Sequence, residues 1–111
     1  MLSKEVSVVS NIGQGKYYRE DGSPCCAVGW YRKDHPSHDQ FDSNRFLEAY
    51  REAYRHYFLG NADSVEYMND RIVGGEERAK VYNLANAILG YTEGQSEETL
   101  KALKEIKNAA S

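Results

Sequence analysis

The sequence predicts a mainly α fold: a small helical bundle in which residues 1–111 form a single domain, with a short β element near the N-terminus. Apolar side chains recur at steps of three and four residues through the second half of the chain, as on a buried helix face. A chain of 111 residues is also long enough to form one hydrophobic core without disulfides or a structural metal. An α+β fold is the alternative, because residues 6–10 fit a strand as well as a helical turn and residues 16–20 favour extended chain.

Residues 21–31 hold both cysteines, the only tryptophan and the longest apolar run, and we expect the rest of the chain to be organised around them. Two structures compete for residues 24–33. The Asp-Gly pair before them could be the turn of a hairpin whose second strand follows at once. We favour a helix, because the Ser23 hydroxyl can cap it and Pro24 suits the first helical position, where a missing N–H has no cost.

Three further residues are interpreted as structural. Gly29 lies three residues after Cys26, on the same helix face, and its lack of a side chain lets another backbone approach closely. Asn69 and Asp70 can cap their own helix end or anchor the turn before the cysteine helix, since both side chains readily bond to backbone groups.

Four later helices are predicted from apolar stripes and from the residues that begin and end them. The first spans 43–59 and ends at Gly60. The second is capped by Asp63 or Ser64, the third begins with the two glutamates after the Gly-Gly pair, and the fourth is capped by Ser96. The inward-facing residues are Phe46, Leu47, Tyr50, Tyr54, Tyr57 and Phe58 in the first helix, Val65, Met68 and Ile72 in the second, Val81, Leu84, Ala85 and Ile88 in the third, and Leu100, Leu103 and Ile106 in the fourth.

Composition and charge narrow the class of protein. No apolar run approaches the roughly 18 residues that a membrane helix needs, and the N-terminus lacks the apolar core of a secretory signal. The two adjacent cysteines cannot form an ordinary disulfide, and reduced thiols agree with a cytoplasmic location. The net charge of −3 disfavours nucleic acid as a partner, because duplex binding depends on positive charge.

The cysteines also define two chemical alternatives. A thiol in the first turn of a helix has a lowered pKa, so Cys25 or Cys26 could serve as the nucleophile of a cysteine-dependent enzyme. Together with His35 and His38 the thiols could also be imagined as a zinc set, but structural zinc sites space their cysteines by two to four residues. We therefore expect no metal and no other cofactor.

The tyrosines suggest a binding surface. The chain has nine of them, more than so small a core can bury, and tyrosine and arginine are the residues that anchor protein interfaces. We predict a partner surface formed by Tyr17, Tyr18, Arg55 and Tyr57. The expected partner is another protein, and a homodimer is compatible with the same surface.

Residues 14–29, with the order Gln-Gly-Lys-Tyr-Tyr-Arg-Glu-Asp-Gly-Ser-Pro-Cys-Cys-Ala-Val-Gly, resemble the N-terminal signature of an uncharacterised family of small bacterial and phage domains. The Asn69-Asp70 pair and the stripe of Val81, Leu84 and Ala87 stand where that family has its Asn-Asp pair and its later helix. The resemblance implies a fold and carries no activity. Our leading hypothesis is a non-enzymatic protein-binding module, a phage or prophage accessory factor that acts on a host protein, with the cysteine-dependent enzyme as the alternative and a nucleic-acid binder after that.

Overall fold

The computed structural model describes residues 6–36 and 40–109, apart from the side chains of residues 40–43. Within them the chain forms five helices joined by short loops, and the prediction of a mainly α fold is confirmed. The helices are α1 (Ala27–Asp34), α2 (Gln40–Tyr57), α3 (Val65–Arg71), α4 (Gly75–Ile88) and α5 (Glu97–Ala109).

Helix α4 is the centre of the fold. Every residue from 81 to 87 is buried, and a helix that is buried on all sides needs neighbours on all sides. Helices α2 and α5 pack against it, α1 touches it, and α3 packs against α1 and α2. The start of α2 contributes an aromatic layer, in which the Phe46 ring stacks on Tyr31 at 4.2 Å between centroids and meets Tyr82 edge-on at 5.9 Å.

The short β element is reduced to one isolated bridge between Tyr18 and Pro24. The Arg19 N–H donates to the Ser23 carbonyl at 2.7 Å and the Gly22 N–H donates back to Arg19 at 2.9 Å, which closes a tight turn. The residues described before α1 contain no strand. Strand pairing stops here because the chain enters a helix three residues after the bridge.

The predicted start of the cysteine helix is wrong. Helix α1 begins at Ala27, with Cys26 as its N-cap residue and no side-chain cap from Ser23. The Ser23 hydroxyl instead donates to the Asp21 carboxylate at 2.6 Å and stabilises the turn. Pro24 fits the bridge because its neighbours, Ser23 and Cys25, supply the bonding carbonyl and N–H.

Side chains from α3 and α4 take the place of a partner strand for residues 7–15, which we call the N-terminal strap. The Asn83 side chain bonds both backbone groups of Val9, accepting from its N–H at 3.1 Å and donating to its carbonyl at 2.9 Å. The buried Arg78 guanidinium donates to the carbonyls of Ile12 and Ile72, both at 2.6 Å. These hydrogen bonds satisfy backbone N–H and carbonyl groups that would otherwise need a neighbouring strand as their partner.

The later helices follow the predicted stripes, with differences at the bounds of α2, at the start of α4, which begins at Gly75 before the two glutamates, and at Leu100. Ser64 and Ser96 are the capping residues of α3 and α5, and their hydroxyls accept from N–H groups three residues on, at 3.1 and 3.2 Å. Helix α2 begins at residue 40, three residues before the predicted start, and ends at Tyr57, two residues before the predicted end. Leu100, predicted to face inward, is 39% exposed because α5 contacts α4 mainly through other residues of the same turns, Thr99, Ala102 and Leu103.

Candidate functional site

Gly29 marks the closest backbone approach around α1. A Cβ placed there would overlap the carbonyl oxygen of Tyr17 and would lie 3.0 Å from its carbonyl carbon. The close approach expected at Gly29 is therefore present, against the residue that precedes the turn. The close packing of the Gly29 and Tyr17 backbones places Tyr17 directly beside α1.

Asn69 connects three segments of the chain. Its side-chain oxygen accepts from the Ala27 N–H at 3.3 Å, and its nitrogen donates to the Gly13 carbonyl at 3.0 Å and to the Asp70 carboxylate at 3.1 Å. Asp70 in turn accepts from the Gly15 N–H at 3.1 Å. Both side chains bond to backbone of the strap, as their structural interpretation requires.

The cysteine geometry is that of packing residues. Both thiols are free and buried, with Cys25 5% and Cys26 2% exposed. Burial raises the pKa of the Cys26 thiol, and this outweighs the backbone N–H groups of Val28 and Gly29 that favour the thiolate. The Cys25 Sγ lies 3.7 Å from the Gln14 carbonyl, under the strap. A nucleophile needs an accessible thiolate, and at 5% and 2% exposure the two residues offer little surface to a substrate.

His35 does not form a metal or catalytic group with the thiols. His35 is buried, with Nε2 3.1 Å from the Asn86 side-chain oxygen, and its ring packs edge-on against Tyr91. Across residues 6–36 and 40–109, no three His, Cys, Asp or Glu side chains converge as metal ligands would. His38 lies outside the described residues.

Tyr17 and Tyr18, two of the predicted surface residues, point away from each other. The Tyr17 hydroxyl donates to Glu66 at 2.6 Å, and the Arg32 guanidinium lies over its ring at 4.7 Å. That hydrogen bond and the negative charge of Glu66 raise the pKa of Tyr17. Tyr18, 41% exposed, lies in the bridge with Pro24.

Arg55 and Tyr57, the other two, lie near the far end of α2. Arg55 is exposed there, whereas Tyr57 is half-buried and its hydroxyl is enclosed. Burial, aided by the charge of Glu98, raises the pKa of Tyr57. Leu47, the last α2 residue beside Tyr17, is about 15 Å along the helix from Tyr57. The four residues therefore do not share one surface.

A groove of about 240 Å³ adjoins Tyr17. It lies between α1, the first half of α2 and the start of α3, and its floor is apolar while its rim carries charge. The lining includes Val28, Phe46, Leu47 and Val65, with Arg32, Asp63, Ser64 and Glu66 at the polar positions.

A second tyrosine–arginine pair lies next to the groove. Tyr67 is 55% exposed on α3, and the Arg71 guanidinium lies 5.4 Å from its ring centroid. The shallow depression beside this pair shares Asp63 and Ser64 with the groove, so the two are continuous. We call the combined area the Tyr–Arg surface, formed by Tyr17, Arg32, Asp63, Ser64, Glu66, Tyr67 and Arg71.

Sequence reasoning found Tyr17 and missed the rest of this surface. Tyr67 and Arg71 are four residues apart on α3, and that spacing alone could have identified the pair. No local signal joins Arg32 to Tyr17, because the two meet only through the packing of α1 against the turn.

Compared with protein-family models, with curated proteins and with solved structures, the chain gave no match. The resemblance to the small bacterial and phage family therefore stays a prediction. Within the described residues, none of the helices has the length and apolar character required to cross a membrane.

Proposed function

We propose that this chain is a small non-enzymatic protein-binding module that uses the Tyr–Arg surface. The observation that carries the proposal is the pair of tyrosines, each with an arginine over its ring, on either side of Asp63 and Ser64. Tyrosine and arginine are the side chains that most often dominate the binding energy of protein interfaces.

The surface is already ordered before a partner arrives. Tyr17 is held by its hydrogen bond to Glu66 and by Arg32, and Tyr67 packs with Arg71. Fixing such side chains on binding costs on the order of 0.5–1.5 kcal/mol each when they are free to move, so order in the free protein favours affinity.

The apolar floor and charged rim of the groove suit a protein segment with an apolar anchor. Val28 and Leu47 are half-buried and line the floor. Arg32 and Glu66 carry opposite charges at the rim, which favours a partner with both signs of charge nearby. As part of the proposal, the partner is a host protein met in the cytoplasm by a phage or prophage accessory factor.

Affinity capture from a bacterial lysate tests the proposal. The protein would be compared with Tyr67→Ala and Arg32→Ala, which truncate one anchor from each pair. Tyr18→Ala is the matched control, since Tyr18 is a similarly exposed tyrosine outside the surface. Circular dichroism would establish that all variants fold.

We expect a captured protein to be lost or reduced about tenfold with Tyr67→Ala or Arg32→Ala and to remain with Tyr18→Ala. If the captured protein is a second copy of this chain, sedimentation of the same variants should show the dimer lost with Tyr67→Ala and Arg32→Ala and retained with Tyr18→Ala. Equal capture by all four proteins would contradict the proposed surface.

A further inference from the structure

A second groove, of about 430 Å³, lies between the N-terminal strap and α1. Its polar lining consists of Ser7, Ser10, Asn11, Arg19, Trp30 and Lys33. It shares no residue with the Tyr–Arg surface, and its formation depends on the strap being fastened across the bundle by Asn83 and Arg78.

The groove is positively charged in a chain whose net charge is −3. Arg19 and Lys33 line it, and no carboxylate does. Neither cation forms an ion pair with another described residue. Arg19 also lines a separate depression with Glu20 and Asp21, and the Asp21 carboxylate there is held mainly by Ser23. Two cations that face one cavity repel each other unless an anion joins them.

Hydrogen-bond donors surround these charges. Ser7 and Ser10 supply hydroxyl groups from the strap, and Asn11 also lines the groove. The Trp30 indole lines the groove under Lys33, whose Nζ is 5.4 Å from the ring centroid. Its Nε1 is enclosed and has no hydrogen-bond partner in the described part of the chain. An enclosed nitrogen lies out of a ligand's reach, so the preference of the groove for a ligand with acceptors rests on Arg19, Lys33 and the serine hydroxyls.

We propose that this groove binds the phosphate group of a small phosphorylated molecule. A tetrahedral phosphate offers several oxygen acceptors, which matches an arginine fork, a lysine and nearby hydroxyls better than a single carboxylate does. The proposal is independent of the Tyr–Arg surface, and its failure would leave that surface untouched.

The chain contains one tryptophan, which makes its fluorescence a direct reporter of this groove. The full-length protein would be titrated with sodium phosphate and with pyrophosphate while Trp30 emission is followed. Sodium chloride at matched ionic strength is the control for screening. Arg19→Gln removes one cation without touching the indole, and Lys104→Gln removes an exposed cation of α5 as the matched variant.

A saturable change in emission is expected with phosphate and a tighter one with pyrophosphate, because pyrophosphate carries more charge. Arg19→Gln should weaken binding about tenfold, the effect of losing one charge-assisted hydrogen bond, while Lys104→Gln should leave it unchanged. Calorimetry on the same proteins checks that the emission change reports binding. A response no different from sodium chloride, or an equal response in Arg19→Gln, would overturn the proposal.

Discussion

Asn69 caps a helix to which it does not belong. Its side-chain oxygen accepts from the backbone N–H of Ala27, the first residue of α1, at 3.3 Å, although 42 positions separate the two in the sequence. The same amide donates to the Gly13 carbonyl. One fully buried side chain thereby ties α1, α3 and the N-terminal strap together.

Asn69→Ala is expected to destabilise the protein by about 2–4 kcal/mol, because it leaves the Ala27 N–H and the Gly13 carbonyl without a partner in a buried site. Asp70→Asn is the comparison, since the new side chain keeps an oxygen for the Gly15 N–H. It should cost about 1 kcal/mol or less. Urea unfolding of both variants measures the difference, and equal losses would contradict the role assigned to Asn69.

Gly29→Ala is expected to cost about 1–3 kcal/mol, because the added Cβ would overlap the Tyr17 carbonyl and backbone must move. Gly75→Ala is the matched change at a helical glycine, where the three atoms nearest to the new Cβ all belong to the exposed Asn11 side chain. A side chain can turn away, so this variant should lose much less. Thermal melts decide the order, and a stabilised Gly29→Ala protein would refute the close approach.

Neither thiol should react quickly in the folded protein. Both are buried, which limits access by a reagent, and burial also raises the pKa of Cys26, so the Cys26 thiolate is scarce at and below neutral pH. A disulfide reagent should react slowly with the thiols of the native protein at pH 6–7. After denaturation it should react rapidly with both. Rapid reaction of one thiol in the native protein at pH 6 would instead support a cysteine-dependent enzyme.

Two buried tyrosines should respond differently to loss of the hydroxyl. The Tyr82 hydroxyl donates to Asp34 at 2.6 Å, whereas the Tyr50 hydroxyl is enclosed without a partner among the described residues. Tyr82→Phe should cost about 1 kcal/mol, while Tyr50→Phe should be neutral or stabilising. Urea unfolding at pH 7 compares them. A larger loss for Tyr50→Phe would show that its hydroxyl is bonded after all.

Stability should fall in alkaline solution. Burial raises the pKa of Tyr50 and Tyr82 above the value of about 10 that they have in the unfolded chain. The folded protein then holds protons that the unfolded chain releases, so the contribution is complete below about pH 10 and declines as the pH rises further. Melting temperatures from pH 8 to 11 should show this decline, and Tyr50→Phe should make it shallower. An identical slope in that variant would exclude Tyr50 as a cause.

Local signals predicted the helices and their caps well. Ser64 and Ser96 cap α3 and α5 because each hydroxyl accepts a hydrogen bond from the backbone N–H three residues later. Such a cap depends only on residues of the same helix start, so the sequence alone can predict it. The same reasoning failed at Ser23 and Pro24, where two local structures were nearly balanced. There the Asn69 amide, which bonds Ala27, favours a helix start three residues later than Pro24.

The sequence by itself determined the mainly α class and most inward faces of the later helices, since each depends on residues within a few positions of one another. It also predicted a close approach at Gly29, but only the tertiary structure identified Tyr17 as the residue that approaches. The tertiary structure decided which tyrosines form a surface and which cations share a groove. The Arg32 guanidinium lies over the Tyr17 ring, and Arg19 and Lys33 line one groove with the strap, although these residues come from different segments of the chain. Such contacts depend on how the helices and loops pack together. The spacing of residues along one segment does not indicate which side chains of another segment will contact it.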